Sequence, residues 1–334
     1  MDLNILVIFT GGTIGCTVND GYLSTDTAKT YSLIELYNGL GLTPVNFTYD
    51  EPYTLLSENV TGEHLSLLGN CLQAHVAEDY DGIIVTHGTD TIQYSAAAMS
   101  YLLPNLQIPV MFVSSNLVLD NPAGNGLDNF AHAVEFIAHK RGKGVFAIYR
   151  NNDGIIYVHR GTRLLPHLPY SDDLYSVGNM YFGKYDNNSY FCNPVYHAED
   201  CEEFFTLQLP AGWSSDIVRF FPYPGMAYPK LSKGTRAILL DTYHSGTLCS
   251  ITPKMNVFFE DAANRNIPVF LTGAENGTTY DSVKAWKQLQ ICTLPKASPI
   301  AMYVKLWMAM ESEDLLETVS LEKIMLTPIS DDIV

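Results

Sequence analysis

The segment Asn4-Ile-Leu-Val-Ile-Phe9, which runs directly into Thr10-Gly-Gly-Thr-Ile-Gly15, decides the fold. A short, mostly apolar run that ends in glycines is typical of a strand that is buried on both faces of a parallel sheet. Similar short apolar runs recur along the first half of the chain, at Gly82–Thr86, Pro109–Ser114 and Gly144–Tyr149. Longer amphipathic segments separate them, at Glu63–Ala77, Thr91–Leu103 and Asp128–His139. This alternation predicts β-α-β units on a mostly parallel sheet flanked by helices.

The second half repeats the pattern on a smaller scale. Its predicted strands are Ala237–Thr242 and Pro268–Thr272, and its predicted helices are Pro253–Arg265, Asp281–Gln290 and Pro299–Met310. Two domains suit 334 residues, since a domain averages roughly 150 residues. The predicted organisation is a larger N-terminal α/β domain at 1–186, a linker at 187–213 and a smaller C-terminal α/β domain at 214–334.

Composition excludes several classes of function. A net charge of −17 without a basic cluster argues against nucleic-acid binding. The chain has no stretch of about 20 apolar residues, so we expect no membrane association and a cytoplasmic location. The six cysteines form no C-x-x-C pair and the nine histidines no H-E-x-x-H motif, so we expect free thiols and no metal site.

Two loops that follow predicted strands carry side chains suited to catalysis. Thr13 lies among the glycines of the first loop, and Gly88-Thr89-Asp90 follows the strand Gly82–Thr86. Taken singly, the first loop could be a plain glycine turn, and the second could simply cap a helix. The first loop does not match a dinucleotide site, because the G-x-G-x-x-G pattern is missing. Adjacent parallel strands place such loops side by side, so both loops could meet on one small ligand.

Together, Thr10–Gly15 and His87–Thr91 resemble the two signature loops of the bacterial-type L-asparaginases, most closely the cytoplasmic type I branch. Further similar segments follow in the family's order, at Asp120-Asn-Pro, Arg160-Gly161, Tyr223-Pro-Gly225 and Tyr303-Val-Lys305. The resemblance implies the two-domain asparaginase/glutaminase fold and hydrolysis of the side-chain amide of L-asparagine, or of a related small amide, to the carboxylate and ammonia. It implies no metal and no organic cofactor. It also implies a homodimer or homotetramer, in which Asn276–Asp281 and Pro299–Met310 lie where a neighbouring subunit approaches the active site.

The resemblance assigns a role to each matching residue. Thr13 matches the nucleophile, Tyr22 an assisting tyrosine on a mobile lid, and Thr89 the second threonine. Asp90 matches the carboxylate that binds the substrate ammonium group, and Ser57 the serine that binds its α-carboxylate. Glu58 stands where the family often has Gln or Ser. An unassisted threonine hydroxyl is a poor nucleophile at neutral pH, so it needs a group that accepts its proton and donors that stabilise the developing oxyanion. Backbone N–H groups near Gly12, Thr13 and Gly88 are candidates for these donors.

The sequence departs from the family at the lysine expected to relay a proton, where it has Pro166. Arg163 could supply positive charge but cannot act as a base, whereas His159 and His167 titrate near neutrality. The alternative to an amidohydrolase is therefore a catalytically impaired protein that binds or senses amino acids. A third interpretation, the amidase subunit of a tRNA-dependent amidotransferase, is less favoured because such subunits carry an additional N-terminal domain and this chain begins at its first strand.

Overall fold

The structure is a computed structural model that describes residues 3–25, 27–198, 205–210, 212–249, 252–274 and 280–334. The first part of the chain folds around an eight-stranded sheet in the order β10-β9-β8-β7-β6-β5-β1-β4. These strands are β1 (Leu3–Phe9), β4 (Val45–Asp50), β5 (Gly82–Thr86), β6 (Pro109–Val113), β7 (Gly144–Arg150), β8 (Ile156–Arg160), β9 (Gly183–Asp186) and β10 (Ser189–Cys192). The five strands from β4 to β7 are parallel, and β8 to β10 continue the sheet in antiparallel pairs. The hairpin β2 (Cys16–Asn19) and β3 (Tyr22–Thr25) stands apart from this sheet.

Helices cover both faces of the large sheet. They are α1 (Thr27–Gly39), α2 (Gly62–His75), α3 (Ile92–Leu102) and α4 (Gly126–Ala138). Alternate residues of β1 point to opposite faces: Leu6 and Ile8 pack with α2 and α3, while Ile5 and Val7 pack with α1 and α4. Burial on both faces explains why β1 is a continuous apolar run and not an alternating one.

The second part of the chain contains a four-stranded parallel sheet in the order β11-β12-β13-β14. Its strands are β11 (Ile217–Phe220), β12 (Ala237–Asp241), β13 (Val269–Thr272) and β14 (Cys292–Thr293), and its helices are α5 (Pro253–Asn264), α6 (Ser282–Gln288), α7 (Pro299–Glu311), α8 (Glu313–Leu316) and α9 (Leu321–Leu326). The predicted α/β fold, with a larger mostly parallel sheet and a smaller α/β unit, is thus confirmed. The predicted strands and helices agree with the observed elements to within about two residues at each end.

Helix α7 lies between the two sheets. Ala301, Val304 and Met308 pack into the core on α3, whereas Met302 and Leu306 pack into the core under the second sheet. Ser298 caps the helix by accepting from the amide of Ala301 at 3.4 Å. Ten of the thirteen residues of α7 are buried within this chain. That burial leaves three residues of α7 to meet a neighbouring subunit, whose approach to 299–310 stays a prediction, and residues 275–279 of the companion segment lie outside the described residues.

The segment predicted as a linker, 187–213, includes strand β10, which pairs with β9 at the edge of the first sheet. The large sheet therefore extends to Cys192, while the proposed domain limits stay predictions. Cys16, Cys71, Cys192, Cys249 and Cys292 are free thiols, as expected. Among the described helices, none has the length and apolar character that a membrane span requires.

Candidate functional site

The glycine turn after β1 is held by backbone contacts that only glycine permits. Gly11 and Gly12 have φ values of 95° and 78°, in the left-handed half of conformational space. Gly12 donates to the carbonyl of Leu55 at 3.0 Å, and Leu55 donates back to Thr10 at 3.2 Å. A Cβ atom on Gly12 would stand 2.4 Å from the amide nitrogen of Gly88. The two signature loops therefore touch through their backbones, with Thr13 immediately after the contact.

Ser57 comes to the same place from the connection between β4 and α2. Its side chain is buried, and its carbonyl accepts from Thr91 Oγ1 at 2.8 Å. A Cβ atom on Gly88 would lie 2.4 Å from Ser57 Oγ. Three segments that are far apart in sequence, around Gly12, Ser57 and Gly88, thus meet at the carboxyl ends of β1, β4 and β5. This is the edge at which parallel sheets bind ligands.

The loop after β5 has a fixed backbone and exposed functional groups. His87 Nδ1 lies 2.9 Å from the carbonyl of Gly88, and Ser114 Oγ donates to the carbonyl of His87 at 2.7 Å. Burial lowers the pKa of His87 to about 4, so this imidazole is neutral at pH 7 and Nδ1–H is the donor. These bonds fix the peptide units that precede Thr89 and Asp90, which are half-buried and exposed, respectively.

The remaining two predicted residues lie outside this contact. Tyr22 begins strand β3 of the hairpin and is 79% exposed, so the structure does not bring its ring to Thr13. Glu58 is exposed beside Ser57, and its charge contributes to raising the pKa of the buried Cys16 thiol, whose main cause is burial. Glu58 therefore lies on the side of the turn that follows Thr13.

A cavity of about 350 Å³ opens beside Thr89 and Asp90. Its other lining residues are Asn116, Tyr149, His167, Leu168, Pro169, Tyr170, Ser171 and Asp172. None of these lining residues is a lysine, and Thr13 and Ser57 are not among them. Such a volume suits a small polar ligand.

His167 is the group in this cavity that can exchange a proton near neutrality. Its Nε2 atom is buried and has no hydrogen-bond partner among the described residues. Burial lowers the pKa of His167 below its usual 6.5, and a hydrogen bond to the backbone of Asp173 and the charges of Asp90 and Asp172 partly oppose this shift. The imidazole is therefore neutral at pH 7 and can accept a proton.

The other two candidates for the missing lysine do not line this cavity. Arg163 is fully buried and donates to the carbonyls of Asp331, His197 and Ile333 at 2.6–3.0 Å. His159 lies 2.8 Å from Ser176 Oγ, and burial lowers its pKa to about 3. The sequence could not separate these three side chains, because their directions depend on the path of the irregular segment after β8.

Comparison with known proteins identifies a family for the first part of this chain. The family model described as asparaginase, N-terminal, matches residues 4–166. Residues 4–166 therefore belong to the asparaginase family. This confirms the family that the signature loops predicted.

The asparaginase-family domain is similar to curated proteins with another name. The chain is 24% identical over 335 residues to a glutamyl-tRNA(Gln) amidotransferase subunit from Methanobrevibacter smithii, covering 95% of this chain and 74% of that protein. It is 30% identical over 232 residues to the subunit of the same name from Haloquadratum walsbyi, covering 66% of this chain and 50% of that protein.

Solved structures show the same fold over the full length. L-asparaginase I from Vibrio cholerae superposes with a TM-score of 0.80 at 20% identity, covering both chains completely. The thermostable L-asparaginase from Thermococcus kodakarensis superposes with a TM-score of 0.79 at 22% identity, covering 99% of each chain. The asparaginase fold is thus shared by both parts of the molecule.

Proposed function

We propose that this asparaginase-family protein is an amidohydrolase that cleaves the side-chain amide of L-asparagine or a near relative, with Thr13 as the nucleophile. The observation that carries the proposal is the backbone contact between the turn at Gly12 and the loop at Gly88, closed from the third side by Ser57. A threonine beside a second threonine and a carboxylate offers a nucleophile and proton partners at one edge of the sheet.

Each side chain at this edge has a place in the reaction. The hydroxyl of Thr13 attacks the amide carbon and gives its proton to Thr89, the C–N bond breaks to release ammonia, and water then cleaves the ester left on Thr13 to give the carboxylate. The backbone N–H groups of the glycine turn and of the Gly88 loop stabilise the oxyanion in both steps. Asp90 binds the substrate ammonium group. Ser57 and the neighbouring Glu58 form the end of the site that receives the substrate α-carboxylate. The hydroxyl of Thr89 passes the proton toward the leaving ammonia. Tyr22 joins the site only if its hairpin closes over Thr13.

His167 takes over the proton transfer that a lysine at position 166 would perform. It lines the same cavity as Thr89 and Asp90, and its Nε2 atom has a free lone pair within the described structure. A neutral imidazole can accept the proton of Thr89 and return it to the departing amine. Arg163 cannot accept a proton, and His159 does not line this cavity, so neither takes this role.

The name of the curated relatives makes L-glutamine a second substrate to test. A glutamyl-tRNA(Gln) amidotransferase obtains its nitrogen from an amide, and the same threonine chemistry would release it. The names of the relatives therefore support the amidotransferase-subunit interpretation more than the sequence motifs did. A cytoplasmic location and a homodimer or homotetramer stay predictions.

Amino-acid binding without turnover is the competing function. Pro166 removes the expected relay lysine, while Asp90 and Ser57 still offer partners for a zwitterion. If His167 does not relay protons, the site still binds an amino acid but does not hydrolyse its amide at an appreciable rate.

Ammonia release decides between these functions. The purified chain is incubated with L-asparagine, L-glutamine and their D-forms, beside Thr13→Val and Pro166→Lys variants. Thr48→Val is the matched control, because Thr48 is an exposed strand residue bonded to Tyr80 at 3.0 Å. We expect turnover in the wild type and in Thr48→Val, and loss of roughly 100-fold or more in Thr13→Val.

Two results would overturn the amidohydrolase. Turnover that survives Thr13→Val would remove the nucleophile from the proposal. A silent wild type that binds aspartate by calorimetry, with activity appearing only in Pro166→Lys, would establish the binding protein.

A further inference from the structure

A cluster of three unlike side chains lies where α2 meets the end of β4, apart from the threonine loops. Asp50 is the last residue of β4, and Cys71 and His75 are one turn apart on the facing side of α2. Cys71 Sγ lies 3.3 Å and His75 Nε2 lies 2.9 Å from the same oxygen, Asp50 Oδ2. The three donor atoms all fall within 4.8 Å of one another. They are half-buried, so an ion could reach them from solvent.

A fourth residue orients the imidazole. Glu78 Oε1 lies 3.1 Å from His75 Nδ1, the ring nitrogen that faces away from Cys71 and Asp50. A carboxylate on the far nitrogen of a histidine is the usual outer partner of a metal ligand, since it leaves the near nitrogen free to donate its lone pair. This arrangement is independent of the distances within the triad.

From these contacts we propose that Asp50, Cys71 and His75 bind one divalent transition-metal ion of the zinc class. In a tetrahedral zinc site the ligand atoms stand roughly 3.3–3.5 Å apart, so the distances from Asp50 Oδ2 to Cys71 Sγ and to His75 Nε2 need to open by only a few tenths of an ångström. A thiolate, a carboxylate and a neutral imidazole together carry two negative charges, which balance a divalent cation. Sulfur and nitrogen donors select zinc or cobalt over magnesium and calcium.

The ion would fasten α2 to the sheet edge that leads into the site. Residue 50 ends β4, and the chain then passes through residues 51–56 to Ser57, while α2 begins five residues later at Gly62. The triad ties Asp50, which precedes this connection, to Cys71 and His75 in the second half of the helix that follows it. Metal binding therefore stabilises the segment that carries Ser57.

The test uses the full chain after treatment with a chelator, with Co²⁺ as a probe for Zn²⁺. We expect one equivalent of Co²⁺ to bind with a thiolate-to-cobalt charge-transfer band, which added Zn²⁺ removes. Cys71→Ser abolishes this band, and His75→Gln weakens the affinity by about tenfold or more. Cys192→Ser is the matched control, because Cys192 is a free, exposed thiol remote from the triad in sequence, and it keeps the band.

Thermal unfolding supplies a second measurement. Zn²⁺ raises the Tm of the wild type and of Cys192→Ser by mass action, and raises the Tm of His75→Gln by less at the same concentration. The proposal is overturned if the wild type shows no charge-transfer band, or if the band persists in Cys71→Ser. If Cys71→Ser does not fold, as judged by circular dichroism, the affinity of His75→Gln decides. These readouts do not depend on amide hydrolysis.

Discussion

Gly12 and Gly88 approach so closely that a Cβ atom on Gly12 would lie 2.4 Å from the amide nitrogen and 2.6 Å from the Cα atom of Gly88. The obstruction is backbone, which cannot rotate away as a side chain can. The contact couples the turn that carries Thr13 to the loop that carries Thr89 and Asp90. The relative position of the two threonines therefore depends on two residues that have no side chain.

Gly12→Ala should separate the two loops. The new methyl group meets the backbone of Gly88, and the alanine has to adopt a φ of 78°. We therefore expect a loss of roughly 2–4 kcal/mol in unfolding free energy and a loss of ammonia release. Denaturant unfolding and the ammonia assay measure both effects.

Gly154→Ala is the matched control for Gly12→Ala. Gly154 has a φ of 80°, but no atom lies within 4 Å of its added Cβ. The control should cost about 1–2 kcal/mol and keep its activity, because only backbone strain is introduced. Equal losses in both variants would show that the close approach of the loops contributes nothing.

His167→Gln tests the proton relay through its pH profile. Since burial holds the pKa of His167 below 6.5, the neutral, proton-accepting form is lost as the pH falls through that lowered pKa. The wild-type rate should therefore have an acid limb below pH 6.5. We expect His167→Gln to lower kcat by about 10²–10⁴-fold and to remove this limb.

The control for the relay is His244→Gln, which changes an exposed histidine outside the residues that line the cavity. It should leave the rate and the acid limb unchanged. An acid limb that survives in His167→Gln would assign the titration to another group and reject His167 as the relay.

The sequence predicted the parallel sheet because strands buried on both faces consist of continuous apolar runs, such as Asn4–Phe9 and Gly82–Thr86. It also located the threonine loops, since ligand loops follow such strands. It missed β8 to β10, because Tyr157, Tyr185 and Tyr190 lie among polar residues and turns that give little periodic signal.

Two features of the structure had no signal in the sequence. Helix α7 was predicted at its correct position, but its apolar residues on all sides could not show that it fills the space between two sheets. The choice of His167 over Arg163 depends on which way each side chain turns. For Arg163 that direction is set by tertiary contacts with Asp331 and Ile333, near the far end of the chain.

Two buried histidines predict an acid-sensitive fold. Burial lowers the pKa of His87 to about 4 and that of His159 to about 3, whereas the unfolded chain binds these protons near pH 6.5. The unfolded state therefore gains more protons as the pH falls, and stability decreases below pH 6.5. At about pH 4 each histidine should cost roughly 2–3 kcal/mol of unfolding free energy.

Denaturant unfolding between about pH 7 and about pH 4 measures this loss. His159→Gln removes one of the two titrations, so its stability should fall less steeply with decreasing pH than that of the wild type. His244→Gln again serves as the exposed control and should follow the wild-type slope. Parallel slopes for His159→Gln and the wild type would show that His159 does not contribute to acid sensitivity.

A fully buried ion pair between Lys305 and Asp332 holds the C-terminal segment against helix α7. Lys305 Nζ lies 2.7 Å from Asp332 Oδ2, both side chains are 0% exposed, and Tyr101 also donates to Asp332 at 3.0 Å. Asp332→Ala leaves the ammonium group of Lys305 buried without its counter-charge, so we expect a loss of about 3–5 kcal/mol in unfolding free energy.

Removing both charges with Lys305→Met and Asp332→Leu should cost less than the single change, because no unpaired charge remains. Asp281→Ala, which breaks an exposed pair with Lys284 at 2.8 Å, should change stability by less than about 0.5 kcal/mol. A double variant that is less stable than Asp332→Ala would mean that packing around Lys305, and not its charge, holds the C-terminal segment in place.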